Sequence, residues 1–205
     1  MNIEVGLEKL NSILPLKERQ QSLEPEARKI HREILNSFAA NGKASEDIDP
    51  GILKILESND QVVLDESKTK VIGAYPFSLK MTAHRIYNDQ IDLYAMCAFD
   101  AIAIAPVFNV NINVESHCYV TNEPIEIIQH ADKVISVKPS EDIYIGIRWQ
   151  SAGSCAAESL CMEMLYLKDE ATAKQWQGGK EDYSIYPLPD AIEFATRYFK
   201  PLISD

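Results

Sequence analysis

The chain has 205 residues, 46% hydrophobic and 25% charged, the balance of a folded soluble protein long enough for one or two small domains. Its formal net charge of −11 repels a phosphate backbone and an anionic bilayer surface, so no nucleic-acid partner and no membrane partner are expected. Glu4 and Glu8 stand where a signal peptide needs basic residues, and no run approaches the ~20 apolar residues of a membrane span; a cytoplasmic location is the expectation.

In chain order, Leu7, Leu10, Ile13 and Leu14 recur at helical spacing until Pro15 closes the run. A second helix is predicted from Pro25 to Ala40, with Ile30, Ile34, Leu35 and Phe38 as its apolar stripe and Asn41-Gly42 as its stop. A third starts at Asp49-Pro50, a cap followed by proline at the first helical position, and carries Ile52, Ile55 and Leu56. The stretch QVVLDESKTKVIGAY then reads as two short strands around a polar turn. Three helices and a hairpin follow the order of a winged helix. Acidic residues outnumber basic ones, so this reads as a winged-helix-like packing module over residues 1–70 rather than a DNA reader.

Beyond Val71 the texture changes. VIGAYPFS, QIDLYAM, NVNINVES, PIEIIQHA, KVISVK, IYIGIRW and LCMEMLYL read as strands, several with the alternation of a half-buried sheet. In NVNINV, for example, Val110, Ile112 and Val114 face one way and the asparagines the other. Helices are expected after Cys97, over 169–177 and over 188–199, the last introduced by Pro187 and Pro189. Residues 71–205 therefore form an α+β core with a mainly antiparallel sheet and flanking helices. Trp149 and Trp176 read as core or edge anchors.

Four cysteines, Cys97, Cys118, Cys155 and Cys161, contain no C-x-x-C pair, which leaves a zinc ribbon or a thioredoxin-type site without support. Cys97 and Asp100 stand three apart in LYAMCAFDAI. On a helix they share a face, where a carboxylate can take a thiol proton or return it, and the resulting thiolate binds soft metals. A cysteine in an apolar helix is more often a small buried hydrophobe. Asp100 argues against that reading, since a charge among Ala98, Phe99, Ala101 and Ile102 needs a reason to be there. Cys161 opens a run read as a strand, Cys155 lies in the small-residue stretch SAGSCAA, and Cys118 follows His117 with a structural role preferred over a ligand pair.

Taken together, these residues resemble the organomercurial lyases, also called alkylmercury lyases. The likeness is an ordered series: Tyr94-Ala95-x-Cys97-Ala98-x-Asp100, then Pro106, then Ser116-His117-Cys118, then Cys161 placed 15 residues before Trp176. GAYPFS and Thr82-x-His84-Arg85 add to it, and the resemblance covers residues 71–200. Met96 departs from a tryptophan seen beside the first cysteine in well-known members, and Cys155 is an additional thiol that competes with Cys161 for the second role.

The resemblance implies protonolysis of a carbon–mercury bond, giving a hydrocarbon and mercuric ion. It assigns Cys97 and Cys161 to mercury, which is substrate and product, and Asp100 to the proton and to a third metal contact. It implies no organic cofactor. The implied partners are an organomercurial substrate, low-molecular-weight thiols that remove the mercuric ion, and a mercuric reductase downstream. The competing reading is a soft-metal-binding paralogue that sequesters mercury without cleaving it.

Overall fold

The computed structural model describes residues 2–45, 47–150 and 159–204. Its first part is helical for the local reasons anticipated. Helix α1 (Ile3–Ile13) is capped by Asn2, whose side chain accepts from the Glu4 N–H. Helix α3 (Pro25–Asn41) has proline at its start and ends at Gly42, which takes the left-handed conformation at φ 69°. Helix α4 (Pro50–Ser58) is capped by Asp49, whose carboxylate accepts from the N–H groups of Gly51 and Ile52. Between the first two lies α2 (Leu16–Gln21), absent from the sequence reading because six residues cannot display a helical period.

The strands form two antiparallel sheets. The larger runs in the order β1 (Val63–Leu64), β2 (Val71–Ala74), β3 (Phe77–Ser78), β5 (Asp92–Ala95), β4 (Arg85–Tyr87), β6 (Asn111–His117), β7 (Pro124–His130), β8 (Lys133–Lys138). The smaller is β10 (Met164–Leu167), β9 (Tyr144–Arg148), β11 (Tyr183–Pro187). An α+β architecture with antiparallel sheets is thus the observed fold. The run VIGAYPFS is two strands, split at Tyr75-Pro76, and β4 and β11 were too short or too mixed in pattern to be read from sequence. In β6, Ile112, Val114 and Ser116 are the buried set, and pairing of Ser116 with Ile125 fixes which face of β7 is covered.

Helix α5 (Ala98–Phe108) is the centre of the molecule. It is apolar around its circumference, and every residue except Pro106 and Phe108 is buried, as expected of a helix with no solvated face. Phe99 packs edge-on against Phe194 of α7 (Leu188–Phe199) at 4.7 Å between ring centres. Pro106 has no N–H to offer the carbonyl of Ile102; the buried Gln129 of β7 donates to that carbonyl at 3.4 Å instead. The two ends of the chain are tied in as well. Tyr198 donates to the Leu14 carbonyl, and Gln20 donates to the Leu202 carbonyl at 2.8 Å. One hydrophobic cluster runs from Leu10 to Leu202.

Trp149 is buried and its indole N–H donates to Ser184 Oγ at 2.6 Å. Trp176, on α6 (Glu170–Gln177), lies so close over Gly146 that a Cβ there would meet its ring at 2.8 Å. Both tryptophans are anchors, as read. No described helix is long and apolar enough to cross a membrane.

Candidate active site

Cys97 lies at the junction of β5 and α5. Its backbone is extended, at φ −152° and ψ 179°, so it is the cap of the helix and not a residue within it. This corrects the expectation that Cys97 and Asp100 share a helical face. Their proximity arises from capping: the Asp100 N–H donates to Cys97 Sγ at 3.4 Å, a sulfur version of the cap-to-third-residue bond. Cys161 also differs from its reading. It sits on a short 3-10 helix, Leu160–Glu163, and the strand begins only at Met164. That helix places its thiol opposite the start of α5.

The two sulfurs and an Asp100 carboxylate oxygen lie within 4.8 Å of one another. Cys97 and Asp100 are each 1% exposed and Cys161 5%. No disulfide links Cys97, Cys118 and Cys161. Cys155 lies outside the described residues, so its competition with Cys161 is not decided by this geometry.

Electrostatics keep protons in this site. A helix N-terminus ordinarily favours thiolate. Here burial wins and pushes the Cys97 thiol well above its usual value, helped by hydrogen bonding with Cys161 and by the Asp100 charge. Burial likewise raises the Asp100 carboxyl to about 7, against the opposing pull of hydrogen bonds from Cys97 and Cys161. Asp100 Oδ2 has no hydrogen-bond partner in the described structure. A buried carboxyl that can be protonated or charged near neutrality is suited to moving a proton. Two thiols beside it are suited to a soft metal.

Above the pair opens a cleft of about 490 Å³, lined by Cys161 but not by Cys97 or Asp100. Cys161 is therefore the member of the trio that meets an incoming molecule. Tyr166 also lines the cleft, with its buried hydroxyl lacking a hydrogen-bond partner. Burial, and secondarily the charge of a nearby Cys97 thiolate, pushes that phenol well above its usual value. His84 packs against Tyr166 at 5.6 Å between ring centres and hydrogen-bonds Ser116 Oγ through Nδ1 at 2.8 Å. Cys118 is buried in the cleft wall.

The profile of the alkylmercury lyase family (MerB) matches residues 77–200. This chain belongs to the alkylmercury lyase family. The alkylmercury lyase of Staphylococcus epidermidis is 26% identical over 155 residues, 76% of this chain and 68% of that protein. The alkylmercury lyase of Bacillus cereus is 29% identical over 151 residues, 72% of this chain and 68% of that protein. The crystal structure of the mercury-bound form of MerB2 superposes with a TM-score of 0.73 at 23% identity, covering 92% of this chain and 98% of that one. That likeness speaks for the fold. The resemblance to the organomercurial lyases, read over residues 71–200, is thus to the right family.

Two features of this family member were not singled out in the sequence. Tyr166 gave no signal because nothing distinguishes a strand tyrosine of the core from one above a thiol. Met164 immediately follows the 3-10 helix and opens β10, and its sulfur accepts from Cys97 Sγ at 3.7 Å. The signal existed in the run Cys161-Met162-Glu163-Met164, where three of four side chains carry sulfur.

Proposed function

We propose that this protein is an alkylmercury lyase that protonates the carbon of a carbon–mercury bond, with Cys97, Cys161 and Asp100 as its reacting groups. The observation that carries the reading is the buried trio of two thiols and one carboxyl within 4.8 Å, of which Cys161 lines a cleft. An organomercury thiolate enters and meets Cys161, whose sulfur takes the mercury while its proton leaves with the displaced small thiol. Cys97 then bonds the mercury. Its proton passes to Asp100, whose value near 7 fits it to accept and release a proton at neutral pH. Asp100 delivers that proton to the carbon as the carbon–mercury bond breaks. One substrate thiolate and two protein thiols become one hydrocarbon, one free thiol and a mercuric bis-thiolate on Cys97 and Cys161. Two external thiols then remove mercuric ion and restore both protons, and a mercuric reductase is the natural consumer. No organic cofactor has a role in this sequence.

Residues 1–70, the N-terminal helices with β1, we read as a winged-helix-like support for residues 71–205, without a nucleic-acid role. The order of helices and hairpin and the acidic charge of the chain support this.

Incubating the protein with a phenylmercury compound and excess small thiol tests the activity. Benzene is the expected product. Stoichiometric mercury binding with no benzene would replace the lyase by a sequestering protein.

A further inference from the structure

We propose that the cleft above Cys161 is a soft-metal site in its own right, a thioether-lined surface that binds thiophilic d10 cations such as silver(I), copper(I) or mercury. The chain has five methionines. Apart from Met1, all of them, Met81, Met96, Met162 and Met164, line this one cleft. Methionine is ordinarily a filler of irregular cores. That role is open to Met96 and Met164, which are 7% and 3% exposed. It is closed to Met81 and Met162, which are 82% and 65% exposed. Two solvent-facing methionines at the mouth and two buried ones at the wall describe a path from water to the thiols.

The path is continuous with the reacting groups at its inner end, where the sulfurs of Met164 and Cys97 are 3.7 Å apart. Space for it is built in at Gly73, where a Cβ would meet Met96 Cε at 2.8 Å. Its chemistry is selective. Among the described residues no aspartate or glutamate lines the cleft, and they offer a hard divalent cation no carboxylate there. Neutral thioethers bind soft cations weakly enough to give them up to thiolates. The ranking of ligands along the path therefore runs downhill towards Cys161 and Cys97. Binding by the thioethers does not depend on carbon–mercury cleavage. Where the lyase reading holds, this surface delivers the mercury.

The test uses protein labelled with 13C in its methionine methyl groups and carrying serine in place of all four cysteines (Cys97→Ser, Cys118→Ser, Cys155→Ser and Cys161→Ser), titrated with silver(I) in chloride-free buffer. The methyl signals of Met81, Met96, Met162 and Met164 are expected to shift together and saturably. Met81→Leu, Met96→Leu and Met162→Leu combined keep apolar volume and remove sulfur, and should weaken silver binding about tenfold or more. Should that combination fail to fold, Met81→Leu with Met162→Leu, both exposed, serves the same purpose. Unshifted methyl signals, or leucine variants that hold silver as tightly as the parent, would overturn the proposal. Benzene release by the unmodified protein is scored separately. Methyl shifts without benzene would remove the lyase reading and leave this site; benzene without methyl shifts would do the reverse.

Discussion

Asp100 is held against Cys97 by its own backbone, its N–H donating to Cys97 Sγ at 3.4 Å while one carboxylate oxygen has no partner in the described structure. The carboxyl is thus positioned by the cap geometry and left available for a proton. Asp100→Asn keeps the shape and removes the proton transfer. Hydrocarbon release should fall by about 10²-fold or more, while one mercuric ion still binds per protein. Parallel measurement of benzene and of bound mercury checks this, and unchanged turnover would sink the proton route.

The same substitution should alter stability in the opposite sense. Burial raises the Asp100 carboxyl from 3.8 to about 7. Its contribution is fully present below pH 3.8 and is lost as pH rises through 7, because the folded state then holds a charge that the unfolded state solvates better. At pH 8, Asp100→Asn should be more stable than the parent by about 1–4 kcal/mol. Urea midpoints at pH 5 and pH 8 measure the difference, which should shrink at the lower pH.

The thiols separate by role. Cys97→Ser and Cys161→Ser should each abolish turnover and leave the fold intact, since serine is a poor ligand for mercury. Cys118 is buried in the cleft wall, and Cys118→Ser should mainly lower the melting temperature. An active Cys161→Ser beside an inactive Cys155→Ser would reassign the second thiol.

Gln129 protects the central helix at the point where Pro106 interrupts it. Gln129→Ala leaves the Ile102 carbonyl buried without a partner, which should cost about 1–3 kcal/mol. The loss should appear as a lower urea midpoint. Because α5 carries Cys97 and Asp100 at its start, turnover should also become more temperature-sensitive.

His31 gives the protein an acid limit. Its Nδ1 faces the Gln20 side-chain amide at 2.8 Å and its Nε2 faces the Gln61 carbonyl at 3.2 Å, a pattern that suits the neutral ring. Burial lowers its value from 6.5 to about 4. The unfolded chain takes up this proton first, so the stability is present above pH 6.5 and lost as pH falls towards 4. His31→Gln should flatten the dependence of the unfolding midpoint between pH 7 and pH 4.5, by on the order of 3 kcal/mol at most. His84, lowered to about 4 chiefly by burial, leaves a residual slope of the same sign.

The sequence by itself determined a good deal. Caps, prolines and apolar spacing located α1, α3, α4, α6 and α7, since those signals act within a few residues of one another. Alternation in NVNINV placed a strand for the same reason. The ordered series Tyr94-Ala95-x-Cys97-Ala98-x-Asp100, Pro106, Ser116-His117-Cys118 and Cys161 before Trp176 carries the family resemblance in the sequence alone. Only the tertiary structure decided that Cys97 caps its helix, that Cys161 rides on a 3-10 turn, and that burial holds Asp100 near 7. It alone gathered Met81, Met96, Met162 and Met164 around one cleft. Each of these rests on contacts between segments distant along the chain, and on the loss of water between them. Local propensity does not register either quantity, so Cys97, Asp100 and Cys161 could be named from the sequence but their burial and the cleft beside Cys161 could not.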